Sequence, residues 1–125
     1  MPILRTGVDL VEIDRFTSAF QRYEGRFLQR LFTSTELAEN GKNMASLAAR
    51  FAAKEAVTKV FGTGIGRVTW HDIEIRRGSL GEPVLHLYGT AERMAAEMHL
   101  DTWSLSLSHT QSHAIAFVVA MRSQD

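Results

Sequence analysis

Two charged side chains set among alanines make the segment from Arg50 to Gly66 the strongest candidate for chemistry in this chain. If the segment is helical, Glu55 and Lys59 are i,i+4 neighbours on one side of the helix. Ala48 and Ala52 border them, so a ligand can approach that side closely. The pattern predicts a site at which an acidic and a basic group meet a small molecule.

A glycine-rich stretch follows this helix and indicates what the small molecule is. Gly62, Gly64 and Gly66 stand at alternate positions, and glycine permits conformations in which backbone N–H groups can approach a phosphate. One glycine is enough to end a helix, so three indicate a further role. The stretch therefore predicts a phosphate site, although Glu55 and Lys59 could also form only a helix ion pair worth about 0.2–0.5 kcal/mol.

Two further cations, Arg50 and Lys54, fall near the apolar side of the same helix. They either extend their charged ends past the apolar stripe to water or point at an anion. The helical pattern alone leaves both interpretations open.

A second carboxylate stands in an apolar setting near the start of the chain. Residues 6–13 alternate like a strand, with Asp9 on the same face as Val11 and Ile13. A buried carboxylate is costly unless it is hydrogen-bonded, paired or bound to a metal, so Asp9 is either a structural acceptor or a ligand. Together, Asp9 and Glu55 suit Mg²⁺, which takes one or two carboxylates and completes its shell with water and substrate phosphates.

A row of arginines gives the neutral chain a basic patch. Arg15, Arg22, Arg26 and Arg30 are accompanied only by Glu24 between positions 15 and 30, and the last three recur at every fourth residue, as on one side of a helix. The row favours an acidic partner, or it is an ordinary solvated helix face.

Composition limits the class of protein. The chain has 125 residues, 45% of them hydrophobic and 22% charged, a formal net charge of zero and no cysteine. These values are typical of a globular protein, and we expect residues 1–125 to form a single domain. No apolar run approaches the length of a membrane span, the N-terminus does not resemble a secretory signal, and disulfides and thiolate metal sites are excluded, so we expect a cytoplasmic protein.

The hydrophobic pattern places helices mainly before position 62 and strands mainly after it. It predicts an α+β fold in which a mostly antiparallel sheet packs on a long central helix. In chain order we expect a strand over 6–13, helices over 14–23, 27–32, 33–40 and 44–61, strands over 68–70, 73–76 and 84–88, a helix over 90–99, and strands over 103–108 and 114–121.

The five histidines and the serine-rich strand give weaker signals. No histidine pair has the H-E-x-x-H spacing of a zinc site, and no G-x-S-x-G motif accompanies Ser104, Ser106 or Ser108. A ligand contact is plausible for His109, at a turn between two strands, and weaker for His113.

With these residues in view, the chain resembles the holo-acyl-carrier-protein synthases, the small trimeric members of the 4′-phosphopantetheinyl transferase family. Residues 7–15, Gly-Val-Asp-Leu-Val-Glu-Ile-Asp-Arg, are similar to the family's N-terminal Gly-x-Asp motif with its downstream arginine. Residues 51–59, Phe-Ala-Ala-Lys-Glu-Ala-Val-Thr-Lys, are similar to its Lys-Glu-Ala motif followed by lysine. The likeness covers nearly the whole chain and implies the family's fold.

The resemblance implies that coenzyme A donates its 4′-phosphopantetheine arm to a serine of an acyl carrier protein and leaves adenosine 3′,5′-bisphosphate. It implies that Asp9 and Glu55 hold Mg²⁺ against the pyrophosphate and that Lys59 neutralises charge on the phosphoryl group. Coenzyme A would be bound by Arg50, Gly62, Gly64 and His109, and Lys54 would either reach the same phosphates or support Glu55.

The resemblance also implies partners. The family's carrier proteins are acidic, and Arg15, Arg26 and Arg30, with Phe27 as apolar anchor, resemble the docking helix. Small members of the family form trimers with coenzyme A between subunits.

The sequence departs from larger relatives at Val11, where they have a further carboxylate, so water is expected to complete the metal shell. Whether Glu55, Asp9, His109 or a water on the metal accepts the serine proton stays open, as does whether the carrier serves fatty acid or polyketide synthesis.

Overall fold

The computed structural model describes residues 3–23, 25–62, 66 and 68–123, and the helices and strands lie within them. Their order is β1 (Leu4–Glu12), α1 (Ile13–Tyr23), α2 (Gly25–Leu31), α3 (Ser34–Asn40), α4 (Met44–Phe61), a 3₁₀ turn (Trp70–Asp72), β2 (Ile73–Arg77), β3 (Pro83–Leu87), α5 (Gly89–Glu97), β4 (Thr102–His109) and β5 (His113–Met121).

The strands form two antiparallel sheets. The larger sheet has the order β1-β5-β4, with Asp9 opposite Ala116 and Ala116 opposite Leu107. The smaller sheet pairs β2 with β3. The architecture confirms the predicted α+β fold with an antiparallel sheet packed on a long helix.

Helix α4 is the centre of the molecule, and capping residues fix both of its ends. The Asn43 side chain accepts a hydrogen bond from the N–H of Ser46, and Gly62 ends the helix in the left-handed conformation with φ of 80°. Most residues between these caps are buried, because the helix has the larger sheet on one side and α1 on another. The predicted range of 44–61 is confirmed.

Two apolar clusters surround α4. One joins the helix to both sheets and α5 through alanine, valine and isoleucine side chains. The other joins it to α1 and α2 through aromatic rings, with Phe16 packed within 6.2 Å of Phe27, Phe32 and Phe51, centroid to centroid. The long helix therefore ties the sheet half of the protein to the helical half.

Two expectations about local structure are corrected. Residues 68–70 do not form a strand: Thr69 precedes a 3₁₀ turn in which the Asp72 side chain accepts the Thr69 N–H, and this local capping outweighs the strand propensity of a Val-Thr-Trp sequence. The arginine row is divided between two helices, with Arg22 near the end of α1 and Arg26 and Arg30 on α2.

Helix α3 begins as predicted. Thr33 and Glu36 form a capping box, in which each side chain accepts a hydrogen bond from the other residue's N–H.

None of the helices among the described residues has the length and apolar character needed to cross a bilayer.

The strand β1 packs directly against the backbone of α4 at Gly7. A Cβ atom placed on Gly7 would overlap the carbonyl oxygen of Ala56 and would lie 3.3 Å from the Val60 side chain. Only a residue without a side chain allows this separation between strand and helix. Gly7 therefore sets the distance between the two elements that carry the candidate carboxylates.

We expect Gly7→Ala to lower the free energy of unfolding by about 1–3 kcal/mol or more, because the added methyl group must push β1 away from α4. Denaturant unfolding measures the change. Gly25→Ala is a matched control, since nothing lies within 4 Å of a Cβ at that position. Equal stability of the two variants would contradict the close contact.

Candidate active site

The structure brings Asp9, Glu55 and Lys59 together. The Nζ of Lys59 lies 3.2 Å from Oδ1 of Asp9 and donates a 2.7 Å hydrogen bond to the carbonyl oxygen of Val8. Asp9 and Glu55 border one surface cleft of about 410 Å³. Two residues 46 positions apart in the sequence thus share a site, as the resemblance implied.

The fold itself explains this meeting. Alternation along β1 turns Gly7 and Asp9 to the same face, and contact at Gly7 holds that face against α4. Glu55 and Lys59 lie one turn apart on α4. Glu55 is half-buried, and Lys59 is exposed. A strand residue and two helix residues therefore converge without any contribution from a loop.

The charge of Asp9 affects the ionisation of Glu55. Burial raises the pKa of Glu55 above its ordinary value, the negative charge of Asp9 raises it further, and Lys59 lowers it in part. A neighbouring negative charge in a half-buried cleft disfavours the ionised form of Glu55. A divalent cation would relieve that repulsion more fully than one ammonium group.

The donor set fits Mg²⁺ rather than zinc. The cleft offers carboxylate oxygens, and among the described residues no three His, Asp or Glu side chains are grouped closely enough to hold a metal alone. Mg²⁺ commonly binds through one or two carboxylates and leaves its other positions to water and substrate phosphates. Asp9 and Glu55 are the residues that would hold it.

The predicted docking residues lie beside this cleft. Arg15 and Phe27 border the same cleft as the two carboxylates. A second groove, of about 940 Å³, is bordered by Arg22, Arg26 and Arg30 and also by Phe27. Phe27 therefore joins a basic surface to the site of the acidic pair.

Lys54 is placed differently from the prediction, and that assignment is corrected. Its side chain is 0% exposed, and its Nζ donates to Glu36 at 2.8 Å and to the carbonyl oxygens of Trp70 and Ile73. An ammonium group has three donors, and all three are used inside the protein. Lys54 thus anchors α4 to α3 and β2 and is not free to bind a phosphate.

Arg50 is also mostly buried, with 7% of its surface exposed. Its Nη1 donates to the hydroxyl and carbonyl oxygens of Ser46, while its Nε has no partner among the described residues. Burial lowers the pKa of Arg50, and the charge of Arg77 lowers it further, but a guanidinium group stays protonated. Arg50 therefore retains donor capacity on the α3 side of α4.

The remaining predicted ligands are spread along the chain. Gly62 lies at the end of α4 in the left-handed conformation, and Gly64 lies outside the described residues. His109 is exposed at the end of β4 and borders neither cleft of its own chain.

Sequence reasoning missed the buried acidic partners of the central helix. Glu36 is fully buried and accepts from Lys54 and from the N–H groups of Thr33 and Ile75. Glu74, on β2, accepts from the hydroxyls of Thr33 and Tyr88. The capping box indicated only that Glu36 lies at the start of a helix. The position of Lys54 near the apolar side of its helix was the one sequence signal for a buried acidic partner.

Comparison with known proteins agrees with this geometry. Residues 5–118 match the family model described as the 4′-phosphopantetheinyl transferase superfamily. The chain belongs to this superfamily.

Curated relatives narrow the class. The holo-[acyl-carrier-protein] synthase of Herpetosiphon aurantiacus is 45% identical over 95% of this chain and 99% of its own length, and that of Desulforudis audaxviator is 48% identical over 95% and 93%. The chain is thus an enzyme of the holo-acyl-carrier-protein synthase type.

Solved structures show the same fold. The holo-[acyl-carrier-protein] synthase of Helicobacter pylori, determined in complex with coenzyme A, superimposes with a TM-score of 0.85 at 30% identity and covers 92% of this chain and 98% of its own. That of Neisseria meningitidis gives a TM-score of 0.85 at 36% identity over 93% and 96%.

We expect Glu55→Gln to raise the free energy of unfolding at neutral pH. Because the folded state raises the pKa of Glu55 above 4.5, the folded protein binds this proton more tightly than the unfolded chain. Stability therefore falls as pH increases from the unfolded to the folded pKa, and glutamine removes that loss.

Unfolding experiments from about pH 4 to about pH 8 measure this effect, which should grow as the pH rises above the unfolded pKa and become constant above the folded pKa. The exposed Glu97 on α5 supplies the control, since Glu97→Gln should change stability by no more than about 0.5 kcal/mol. A difference between Glu55→Gln and the native protein that does not depend on pH would contradict the interpretation.

Proposed function

We propose that this enzyme transfers the 4′-phosphopantetheine group of coenzyme A to a serine hydroxyl of an apo acyl carrier protein, with Mg²⁺ as its cofactor. The serine hydroxyl gives its proton to a base, and its oxygen forms a bond to the phosphorus next to the pantetheine arm while the bond from that phosphorus to the bridging oxygen breaks. Adenosine 3′,5′-bisphosphate leaves with that oxygen. The observation that carries the proposal is the convergence of Asp9 and Glu55 on one cleft, with Lys59 in contact with Asp9.

Each of the three residues has a role that its chemistry supports. Asp9 and Glu55 would hold the cation, whose positive charge offsets the negative charge of the pyrophosphate. Lys59 is 52% exposed at its side chain, so its ammonium group can turn to a phosphoryl oxygen without leaving a buried position. A positioned cation stabilises the charge that develops on the leaving oxygen.

Arg15, Arg26, Phe27 and Arg30 form the proposed docking surface for the carrier. Arginine side chains attract and orient an acidic partner, and a partly buried phenylalanine among them supplies an apolar contact. The two clefts that meet at Phe27 support a path from this surface to the acidic pair. A carrier bound on α1 and α2 could thus extend its serine to the phosphate site.

We further propose that the enzyme is a homotrimer with coenzyme A bound between subunits. Support comes from the outer face of the larger sheet, the side turned away from α4. Apolar side chains remain exposed there, including Leu10 at 61% and Phe117 at 46%; the other members are Leu4, Val8, Ile115 and Met121. The register aligns Val8 with Phe117 and Leu10 with Ile115, so the side chains form one continuous surface suited to contact with another chain.

The position of His109 supports the same arrangement. Its side chain is exposed outside the cleft of its own chain, where a nucleotide held by an adjoining subunit can reach it. Gly62, Gly64 and Arg50 would complete the coenzyme A site. A cytoplasmic location accords with the absence of cysteine, since disulfides mark oxidising compartments.

The direct test combines the protein with Mg²⁺, coenzyme A and an apo acyl carrier protein, and weighs the carrier by mass spectrometry. We expect the mass of one phosphopantetheine group to be added. Glu55→Gln should reduce the rate by several orders of magnitude, because one of two metal carboxylates is lost, while Glu97→Gln should leave it unchanged. A carrier whose mass stays constant with the native protein would overturn the proposed activity.

Charge reversal tests the docking surface. We expect Arg26→Glu to raise the KM for the carrier roughly tenfold or more, because like charges then face each other, and to leave the KM for coenzyme A nearly unchanged. Arg93→Glu, on the exposed surface of α5, controls for net charge. Equal effects on both substrates would argue against a separate docking surface.

Analytical ultracentrifugation tests the assembly. The native protein should sediment with three times the 14.0 kDa chain mass, and Phe117→Glu should shift it to the mass of one chain because a charge would be buried in the contact. Leu80→Glu is the control, since Leu80 is 91% exposed in a turn away from the sheet face. A native protein that sediments as one chain at micromolar concentration would contradict the trimer.

A further inference from the structure

Arg5 reaches the end of the central helix from the neighbouring strand. It lies two residues before Gly7 and four before Asp9 on β1, so alternation turns all three toward α4. Its Nε donates a 2.7 Å hydrogen bond to the carbonyl oxygen of Val60. The close contact at Gly7 brings the strand near enough for this bond.

This bond helps to cap the C-terminal end of α4. The last carbonyl groups of a helix have no partner within the helix. The N–H of Gly62 donates to the carbonyl oxygens of Thr58 and Lys59, and Arg5 donates to that of Val60. Arg5 is therefore a side-chain cap, a role in which a cation also meets the negative end of the helix dipole.

The same end of α4 is where the proposed function requires a phosphate, and there the helix dipole is unfavourable to an anion. A phosphate beside Gly62 needs a nearby cation to offset that dipole. Lys59 directs its ammonium group to Val8 and Asp9, on the side of the acidic pair, whereas Arg5 lies beside Gly62.

Arg5 has Nη donors that make no hydrogen bond to the described residues and are suited to this task. Its Nη2 lies 3.4 Å from the point at which a side chain on Gly62 would begin, and its side chain is exposed. Within the described part of the chain, no acidic side chain lies within ion-pair distance of Arg5. A guanidinium group that is held through Nε presents both Nη groups as a fork, which is the geometry that binds phosphate oxygens.

We propose that Arg5 binds a phosphate group of coenzyme A beside Gly62, at the C-terminal end of α4. The proposal rests on coenzyme A being the substrate. The hydrogen bond to Val60 fixes the direction of the guanidinium plane, and the absence of a side chain on Gly62 leaves the space that the phosphate oxygens occupy. Coenzyme A has phosphates in its pyrophosphate and on its 3′ position, and the same cation chemistry serves either.

Calorimetric binding of coenzyme A and of 3′-dephospho-coenzyme A to the native protein and to Arg5→Gln distinguishes the two phosphates. We expect the Kd for coenzyme A to rise roughly tenfold or more in Arg5→Gln, because a charge-assisted hydrogen bond is lost. If the 3′-phosphate is the partner, the Kd for the dephospho compound stays constant. If the pyrophosphate is the partner, both Kd values rise together. Either result supports the proposal.

Two results would overturn it. One is an unchanged Kd for both compounds in a folded Arg5→Gln protein, as expected if Arg5 only caps the helix. The other is an equal loss in Arg93→Gln, which removes a positive charge from α5 and would indicate a general charge effect. Native protein that binds neither compound would instead count against coenzyme A as substrate, so the two failures are distinguishable.

Arg5→Lys keeps the proposal testable if the glutamine variant does not fold. A single ammonium group cannot hold Val60 and present a fork to a phosphate at once. We expect the Kd for coenzyme A to rise about threefold or more in the lysine variant. An unchanged Kd in Arg5→Lys would contradict the assignment.

Discussion

The contact between Gly7 and the backbone of Ala56 is the constraint on which the rest of the site depends. Side chains normally separate a strand from a helix that packs on it. At Gly7 there is no side chain, and the strand backbone lies directly against the helix backbone. The approach places Asp9 beside the helix turn that carries Glu55 and Lys59, and Arg5 beside the end of the same helix. A change of residue type at one position, without any loop rearrangement, would separate the acidic pair.

The buried pair of Lys54 and Glu36 stabilises the opposite side of the helix. Glu36 accepts from one side chain and two backbone groups, and Lys54 donates to one side chain and two carbonyl oxygens. Such full pairing is what makes two buried charges tolerable, while the loss of either partner alone costs about 3–5 kcal/mol. Since Lys54 and Glu55 are adjacent in the sequence, the rotation of α4 that satisfies Lys54 inside also presents Glu55 to the cleft.

Much of the fold could be predicted from the sequence where the determinants are local. The range of α4 follows from Asn43 and Gly62 at its ends, and the inward face of Asp9 follows from simple alternation along β1. The role of Lys54 could not be predicted in this way. Helical periodicity gives the direction of its side chain, but it does not identify its partner Glu36, which lies 18 positions earlier in the sequence. The prediction of a strand over 68–70 was wrong for a related reason. The Asp72 side chain accepts the Thr69 N–H, and Lys54 donates to the Trp70 carbonyl oxygen, and neither Asp72 nor Lys54 belongs to the segment.

The residues of the candidate site could be predicted because they belong to distinctive motifs. The arrangement of those motifs in space could not be predicted. Glu55 and Lys59 are neighbours by helix geometry alone, whereas their meeting with Asp9 depends on the pairing of β1 with β5 and on the glycine contact. Arg5 belongs to no motif in the chain, and only the hydrogen bond to Val60 draws attention to it.

The exposed apolar surface formed by β1 and β5 also affects how the protein must be handled. Strand β1 is an edge of its sheet, so the exposed side chains of Val8 and Leu10 lie at that edge. Edges of this kind readily recruit foreign strands. A freshly synthesised chain that has not found its own copies would therefore be prone to aggregation, and high expression would increase this tendency unless assembly kept pace with synthesis.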